Sequence, residues 1–389
     1  MTETKYTIQS TGNYLADALC SLGLFELALR IDPLLDAKCC IGRHEVLQLK
    51  SRLKKEDFKN RLLDELERLS KSNRIQQKLD FKVNTGDGRP RAYQVLQQKV
   101  VPKIESGIEE EAFKERIIKS TRRRREEYIT CYLSLLPIYG KGLKVYDKSM
   151  SPASAELKPE VLAAYMTGLA FYTVQWEERE KDSDRRVHLA IVPPLGVSVN
   201  REYLLALRRI ASLYSTEGFR EYAKRMDGIP RISIPLAVLI CFDISLLKFL
   251  ASTAPPQILV FDVEVAKRGG ETSRLYESYS TAPTLKFLAG LYENVHEVKE
   301  YVGSLVRTRG ERKLRGTEVP SLIDSILIEL ALAINNRNPG TLNAALFESV
   351  MLTKRVKEDL KRYIRGIYLP KPEICAVMLA TLSSTQYFT

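Results

Sequence analysis

The sequence predicts a mixed α+β fold, with a helix-rich α/β body carrying a small mixed sheet over 1–316 and a C-terminal helical bundle over 317–389. Three observations carry this expectation. Apolar runs rich in β-branched residues recur at 187–192, 231–242 and 258–266, with helical stretches between them. Long segments elsewhere place apolar residues every three or four positions, the spacing of an amphipathic helix. Beyond Arg274 the strand-like runs give way to helical patterning. A chain of 389 residues with 44% apolar and 28% charged residues can bury a substantial core and is not disordered in composition.

In chain order, Tyr6–Gln9 is a short extended piece and Thr11-Gly12-Asn13 a turn. A helix over 15–30 ends at Asp32-Pro33. That helix is too apolar for a surface, so it belongs to the core, with Asp17 either a functional acid or, the favoured reading, at its polar edge or in a capping role. Residues 43–83 read as helical, because Val46, Leu49, Leu53, Phe58, Leu62, Leu66 and Leu69 recur mostly at spacings of three or four. A loop follows at 84–90, then further helix over 91–136. Pro137, Gly140, Gly142, Pro152 and Pro159 punctuate a linker over 137–160. Residues 160–176 form an apolar helix, and the charged EEREKDSDRR segment is an exposed loop leading to a strand at 187–192. Another helix spans 201–214, and 231–242 reads as extended or apolar core.

The strongest strand is 258–266, which Pro255-Pro256 isolates from any preceding helix. Alternation puts Leu259, Phe261, Val263 and Val265 on one face and Ile258, Val260, Asp262 and Glu264 on the other. The strand runs into Lys267-Arg268-Gly269-Gly270, with Arg274 beyond. This is either a phosphate-contacting turn or an exposed turn with ordinary solvated charges. The C-terminal third contains an amphipathic helix over 284–305, a helix starting at Pro320, and a helix capped by Thr341 that runs to about 365. An apolar helix over 373–382 closes it.

Charge narrows the functional classes. The chain carries 60 basic against 48 acidic residues, a net charge of +12, and its pI is about 9.3. Such a surplus suits a polyanion, nucleic acid before anionic membrane. Three basic segments are candidates. Arg122, Arg123, Arg124 and Arg125 span more than one helical turn, so some contact phosphate or all form a solvated, salt-bridged face. Arg307, Arg309, Arg312, Lys313 and Arg315 stand against the single acid Glu311, and Gly310 and Gly316 prevent a continuous helix. The segment reads as a flexible basic loop that can conform to a phosphate backbone. Lys354, Lys357, Lys361 and Arg365 step by three or four and form one basic stripe on a helix.

Enzyme signatures are sparse. His44, His188 and His296 form no HExxH or HxH pattern, and no Walker, GxGxxG or GxSxG motif occurs. No cofactor or metal is therefore expected. Asp262-x-Glu264 with Lys267 superficially resembles the acid pair and lysine of metal-dependent nucleases. Alternation, however, places Lys267 on the opposite side, so a nuclease centred on Asp262 and Glu264 stands as the alternative reading. A protein-interaction scaffold, whose charges serve partner proteins, is a second alternative. The six cysteines form no CxxC pair and read as buried thiols in a reducing compartment, implying a cytoplasmic location. No secretory signal or transmembrane span is expected. The longest apolar stretch, 234–250, contains Pro235, Asp243 and Lys248 and reads as core.

The segment TGNYLADALCSLG resembles the glycine–polar–Asp-Ala opening of large subunits of archaeal type I CRISPR effector complexes. A basic α/β body followed by a helical bundle is similar to the type I-A large subunit in particular. The resemblance implies a non-catalytic subunit at one end of a crRNA-guided antiviral surveillance complex. Such a subunit helps recognise the protospacer-adjacent motif, holds displaced DNA and recruits the helicase–nuclease. Its partners are crRNA, target DNA, and the backbone and small subunits. In such complexes base pairing reads sequence, while the protein supplies a basic channel and a short duplex contact.

Overall fold

The computed structural model describes residues 4–10, 14–80, 90–106, 129–130, 156–157, 159–179, 183–266, 271–273 and 277–384. The fold is α+β, as the patterning predicts. It divides into two compact units. One comprises 1–175, 179–214 and 259–277, the other 176–178, 215–258 and 278–389. The boundary expected at 316/317 does not separate them. The C-terminal helices share a core with 215–258 and 278–314, because the helix Val319–Asn335 packs on the helices Ala282–Gly290 and Val295–Arg309 and on the turn at 231–233.

The first unit is built on α1 (Tyr14–Ile31), which is buried along almost its whole length, as its apolar sequence requires. It packs against α6 (Pro159–Tyr172), an equally apolar helix. Gly23 and Gly168 set the distance between them. A Cβ on Gly168 would lie 2.0 Å from the Leu19 carbonyl oxygen, and one on Gly23 would lie 1.8 Å from that of Ala164. The acidic residues in and just after α1 have partners. Asp17 accepts a hydrogen bond from Ser10 Oγ (2.6 Å). Glu26, 2% exposed, pairs with Arg30 (2.7 Å) and Arg208 (2.8 Å). Asp32 ends the helix and accepts from Ser51 Oγ (2.6 Å).

Around this pair, β1 (Thr4–Gln9), β2 (Asp36–Cys39), β3 (Glu45–Ser51) and β8 (Val199–Asn200) form a sheet in the order β1-β3-β2-β8. Its pairings are antiparallel, with Leu49 opposite both Tyr6 and Ala37, and Cys39 opposite Val199. The expected helix over 43–83 is therefore corrected at its start, because EVLQLKS is the central strand β3. Helix begins only at α2 (Lys55–Ser70) and continues in α3 (Asn73–Lys78). Helix resumes as α4 (Ala92–Val95), a π-turn at Leu96–Val100 and α5 (Val101–Ser106). Two-residue strands β4 (Ile129–Thr130) and β5 (Glu156–Leu157) pair antiparallel. α7 (Arg201–Tyr214) follows β8 and packs on α6 and α1.

A second sheet contains β6 (Thr173–Arg179), β7 (Ser183–Val192), β9 (Gln257–Ala266) and β10 (Glu271–Ser273), in the order β10-β9-β7-β6. β11 (Glu277–Ser280) also pairs with β9. The strand expected at 258–266 is thus present, and the buried His188 ring on β7 stacks on Phe261 of β9 at 5.0 Å. The charged segment after residue 176 is corrected from a loop, since its first and last residues lie in β6 and β7.

The second unit is helical: α8 (Glu217–Arg225), α9 (Ile234–Leu239), α10 (Ile244–Ser252), α11 (Ala282–Gly290), α12 (Val295–Arg309), α13 (Val319–Asn335), α14 (Pro339–Arg355), α15 (Glu358–Ile364) and α16 (Pro372–Ser384). Residues 231–242, read as extended or apolar core, are buried core but helical, with Pro235 in the first turn of α9. Thr216 and Asp243 cap α8 and α10 with side-chain oxygens. The cap of α14 is Asn338, not Thr341. Its Oδ1 accepts from Thr341 N–H at 3.2 Å, and Pro339 occupies the first turn. The helix expected to reach 365 breaks at Val356-Lys357, so the four-residue basic stripe is divided between α14, the break and α15.

By length and composition one helix, Val319–Asn336, could cross a membrane, as could the sharply bent pair Arg231–Leu239 and Ile244–Ser252 if taken as one span. Val319–Asn336 behaves as a core helix: it packs on α14 and α12, and its Asp324 is held by Arg309.

Candidate nucleic-acid interface

The basic segment 307–316 is not a flexible loop. Arg307 and Arg309 lie in the last turn of α12, which Gly310 terminates. A Cβ on Gly310 would sit 2.8 Å from Arg225 Cβ, so glycine permits the close approach of α8 here. The chain then makes a 3-10 turn at Arg312–Leu314, with Leu314 fully buried as its anchor. Leu314 N–H donates to the Glu311 carbonyl (3.0 Å) and Thr317 N–H to that of Leu314 (3.0 Å). Gly316 leaves the turn at φ 81°, a conformation that favours glycine.

This rigid corner sorts the five predicted cations. Arg309 is structural. Its guanidinium bonds Asp324 through Nε (2.7 Å) and Nη2 (3.3 Å), and also donates to the carbonyls of Asp227 and Gly228. Only 13% of its side chain is exposed, so its charge is already committed inside the unit. Arg307 is half exposed and pairs with Glu300 (2.6 Å), an exposed contact worth about 0–1 kcal/mol and readily exchanged. Arg315 is 67% exposed, with only a 3.4 Å contact to Asp227. Arg312 and Lys313 are exposed, and no ion pair to either occurs among the described residues.

In a 3-10 turn, side chains three apart eclipse, so Arg312 and Arg315 share one edge with Lys313 beside them. The cations are held on a backbone that is already ordered. Binding a polyanion therefore does not require the turn to be fixed first, a cost that a flexible loop would bear. A neighbouring residue escaped the sequence reading: Arg225 of α8 pairs with Glu311 (2.7 Å) and so neutralises the one acid inside the basic segment. Only its place beside Gly310 in the fold reveals this.

The other predicted positions divide differently. Arg122, Arg123, Arg124, Arg125, Lys267, Arg268 and Arg274 lie outside the described residues. On either side of 267–270, β9 and β10 pair antiparallel, with Val265 opposite Glu271. Asp262 and Glu264 lie on β9, and their side chains are outside the described set. Among the described residues, no group of three His, Cys, Asp or Glu side chains could hold a metal ion.

The second basic region, beyond Lys354, has seven cations against Glu358 and Asp359 over 354–371. Arg355 is tied to Glu348 and Lys361 to Glu358. Lys354, Lys357, Arg362, Arg365 and Lys371 are exposed.

Burial governs several of the described thiols. Cys20, Cys39 and Cys40 are buried. Burial pushes the Cys39 thiol up to about 12 and the Cys241 thiol likewise to about 12, so both stay protonated at neutral pH. Comparison with known proteins gives no relative, since neither a family model nor a curated protein matches the chain.

Proposed function

We propose that this chain is a non-catalytic, cytoplasmic nucleic-acid-binding subunit of a crRNA-guided antiviral surveillance complex. In this reading it contacts target DNA and crRNA, aids recognition of the protospacer-adjacent motif and holds the displaced strand. It also assembles with the backbone and small subunits and recruits the helicase–nuclease. The observation that carries the nucleic-acid part is the ordered corner at 312–315, where Arg312, Lys313 and Arg315 are exposed while Glu311 is already engaged by Arg225. The net charge of +12 supports it. The assembly part rests on the resemblance of TGNYLADALCSLG and of the chain's layout to the type I-A large subunit.

The test is equilibrium binding of the purified full chain to a labelled DNA duplex and to single-stranded DNA, across a salt series with and without Mg²⁺. Binding that weakens steeply with salt, without cleavage, is expected. Mg²⁺-dependent cleavage abolished by Asp262→Ala would replace this reading with a nuclease. Binding indifferent to salt would remove the phosphate contacts on which it rests.

A further inference from the structure

The outer face of α14 breaks the rule for a surface helix. One side is buried through Leu342, Ala345, Leu346 and Leu352, with Ser349 hydrogen-bonded to the Tyr301 hydroxyl at 2.5 Å. The opposite side should be polar. Instead it carries Phe347, 60% exposed, and Val350, 50% exposed, with half-buried Met351 alongside. Asn343, Phe347, Val350 and Lys354 step by four, three and four, which aligns them in one seam along the helix, as at a coiled-coil interface. Phe347 and Val350 are among the few large hydrophobic side chains exposed among the described residues, and they are adjacent on this seam.

The seam is apolar in its middle and basic at its C-terminal end. Lys354 closes it and exposed Lys357 follows. Arg355, beside Lys354, is neutralised by Glu348, so it adds little to the net field. Among the described residues no ion pair to Lys354 or Lys357 is made, and the apolar middle of the seam is exposed. We infer that the α14 seam docks an acidic amphipathic helix of a partner protein. In the docked pair, the partner's apolar stripe covers Phe347 and Val350, and its carboxylates meet Lys354 and Lys357. An exposed Phe flanked by a charged rim has the anatomy of an anchor residue in helix-to-helix recognition. A phosphate backbone would engage the lysines but would leave Phe347 and Val350 uncovered. A second copy of α14 laid antiparallel would cover both apolar residues but would bring one carboxylate only, Glu348, which Arg355 already holds. The charge pattern therefore favours an acidic helix. This inference does not depend on the DNA-binding corner, and the two fail separately.

The probe is a labelled synthetic helix of three heptads with Leu at the seam positions and Glu on its flanks, titrated against the full chain by fluorescence anisotropy. Saturable binding is expected. It should weaken at least tenfold in Phe347→Asp, which is exposed and should leave folding intact by circular dichroism. The double variant Lys354→Glu, Lys357→Glu should lose the acidic probe and gain a matched probe with Lys in place of Glu, a swap that a purely apolar contact would not produce. Failure to bind the acidic probe, or equal binding of a scrambled one, would overturn the inference. So would a concentration-dependent dimer abolished by Phe347→Asp, which would assign the seam to a second copy. Loss of DNA binding or of anionic-vesicle binding in Phe347→Asp would overturn it in favour of those ligands. Intact DNA binding in that variant is the expected result.

Discussion

Replacing Gly168 by alanine tests how the core of the first unit is built. An alanine in an unobstructed helix interior is better than glycine by about 1 kcal/mol, so propensity alone predicts stabilisation. The structure predicts the reverse. The new methyl would lie 2.0 Å from the Leu19 carbonyl oxygen, where ordinary contact begins at 3.4 Å, so α1 and α6 must separate locally by about 1.4 Å. The obstacle is helix backbone, which cannot swing aside as a side-chain tip can. Overpacking of this kind costs about 1–3 kcal/mol and sometimes more. Because the obstruction is severe, the upper end applies, and after the propensity gain the net loss should be about 2 kcal/mol. Gly23→Ala should behave alike, with its methyl 1.8 Å from the Ala164 carbonyl oxygen. Gly218 of α8 is the control, since a methyl there meets nothing within 4 Å. Gly218→Ala should stabilise by about 0.4–1 kcal/mol. Guanidinium denaturation followed by circular dichroism reads all three. A Gly168→Ala protein as stable as the parent would refute the close approach of the two helices.

Three further outcomes follow from named contacts. Arg309→Ala should cost about 2–4 kcal/mol, because it strands Asp324 and the carbonyls of Asp227 and Gly228, while leaving the salt dependence of DNA binding unchanged. Burial pushes the Glu26 carboxyl up, but the Arg208 hydrogen bond and the charges of Arg30 and Arg208 outweigh it and hold the group below its usual range. A carboxyl lowered on folding contributes stability above its unfolded value, about 4.3, and that contribution is lost as pH falls through the folded value. Glu26→Gln should therefore be less stable than the parent at pH 7, by about 2–3 kcal/mol, and the gap should close in denaturation series run from pH 5 downward. Asn338→Ala should lower stability by about 1 kcal/mol in thermal melts, and Asn338→Ser should restore most of it, since the capping oxygen is the working part.

Elements whose signals agreed at every level were legible in the sequence. β9 combines β-branched alternation with a Pro-Pro stop, and α7 an amphipathic face with Asn200 Oδ1 receiving the Tyr203 N–H. The errors fell where a local pattern was ambiguous and tertiary pairing decided. Val46, Leu49 and Leu53 fit helical spacing, yet β3 lies between β1 and β2, whose hydrogen bonds complete its backbone. The run 231–242 is short and apolar throughout, so periodicity could not distinguish strand from buried helix. Pro235, with no N–H to give, suited a first helical turn.

At the candidate interface the sequence displayed the cations but not their partners. Arg309 is bound by Asp324, fifteen residues on, and by carbonyls more than eighty residues back, and no spacing rule reaches that far. The spacing of apolar residues along α14 does not say which face is covered; the packing of α13 and α16 on α14 leaves Phe347 and Val350 exposed.

The most direct test of the central claim compares the salt dependence of DNA binding in the parent and in the triple variant Arg312→Ala, Lys313→Ala, Arg315→Ala. These side chains are exposed and carry little of the fold, so stability should hold. Each lost phosphate contact lowers the slope of log affinity against log salt by about 0.7–0.9, so all three together should lower it by about 2–2.7. A slope reduced by that amount, with no cleavage of the DNA, is the predicted result. An unchanged slope would contradict the account, because the exposed basic corner at 312–315 would then make no contact with nucleic acid.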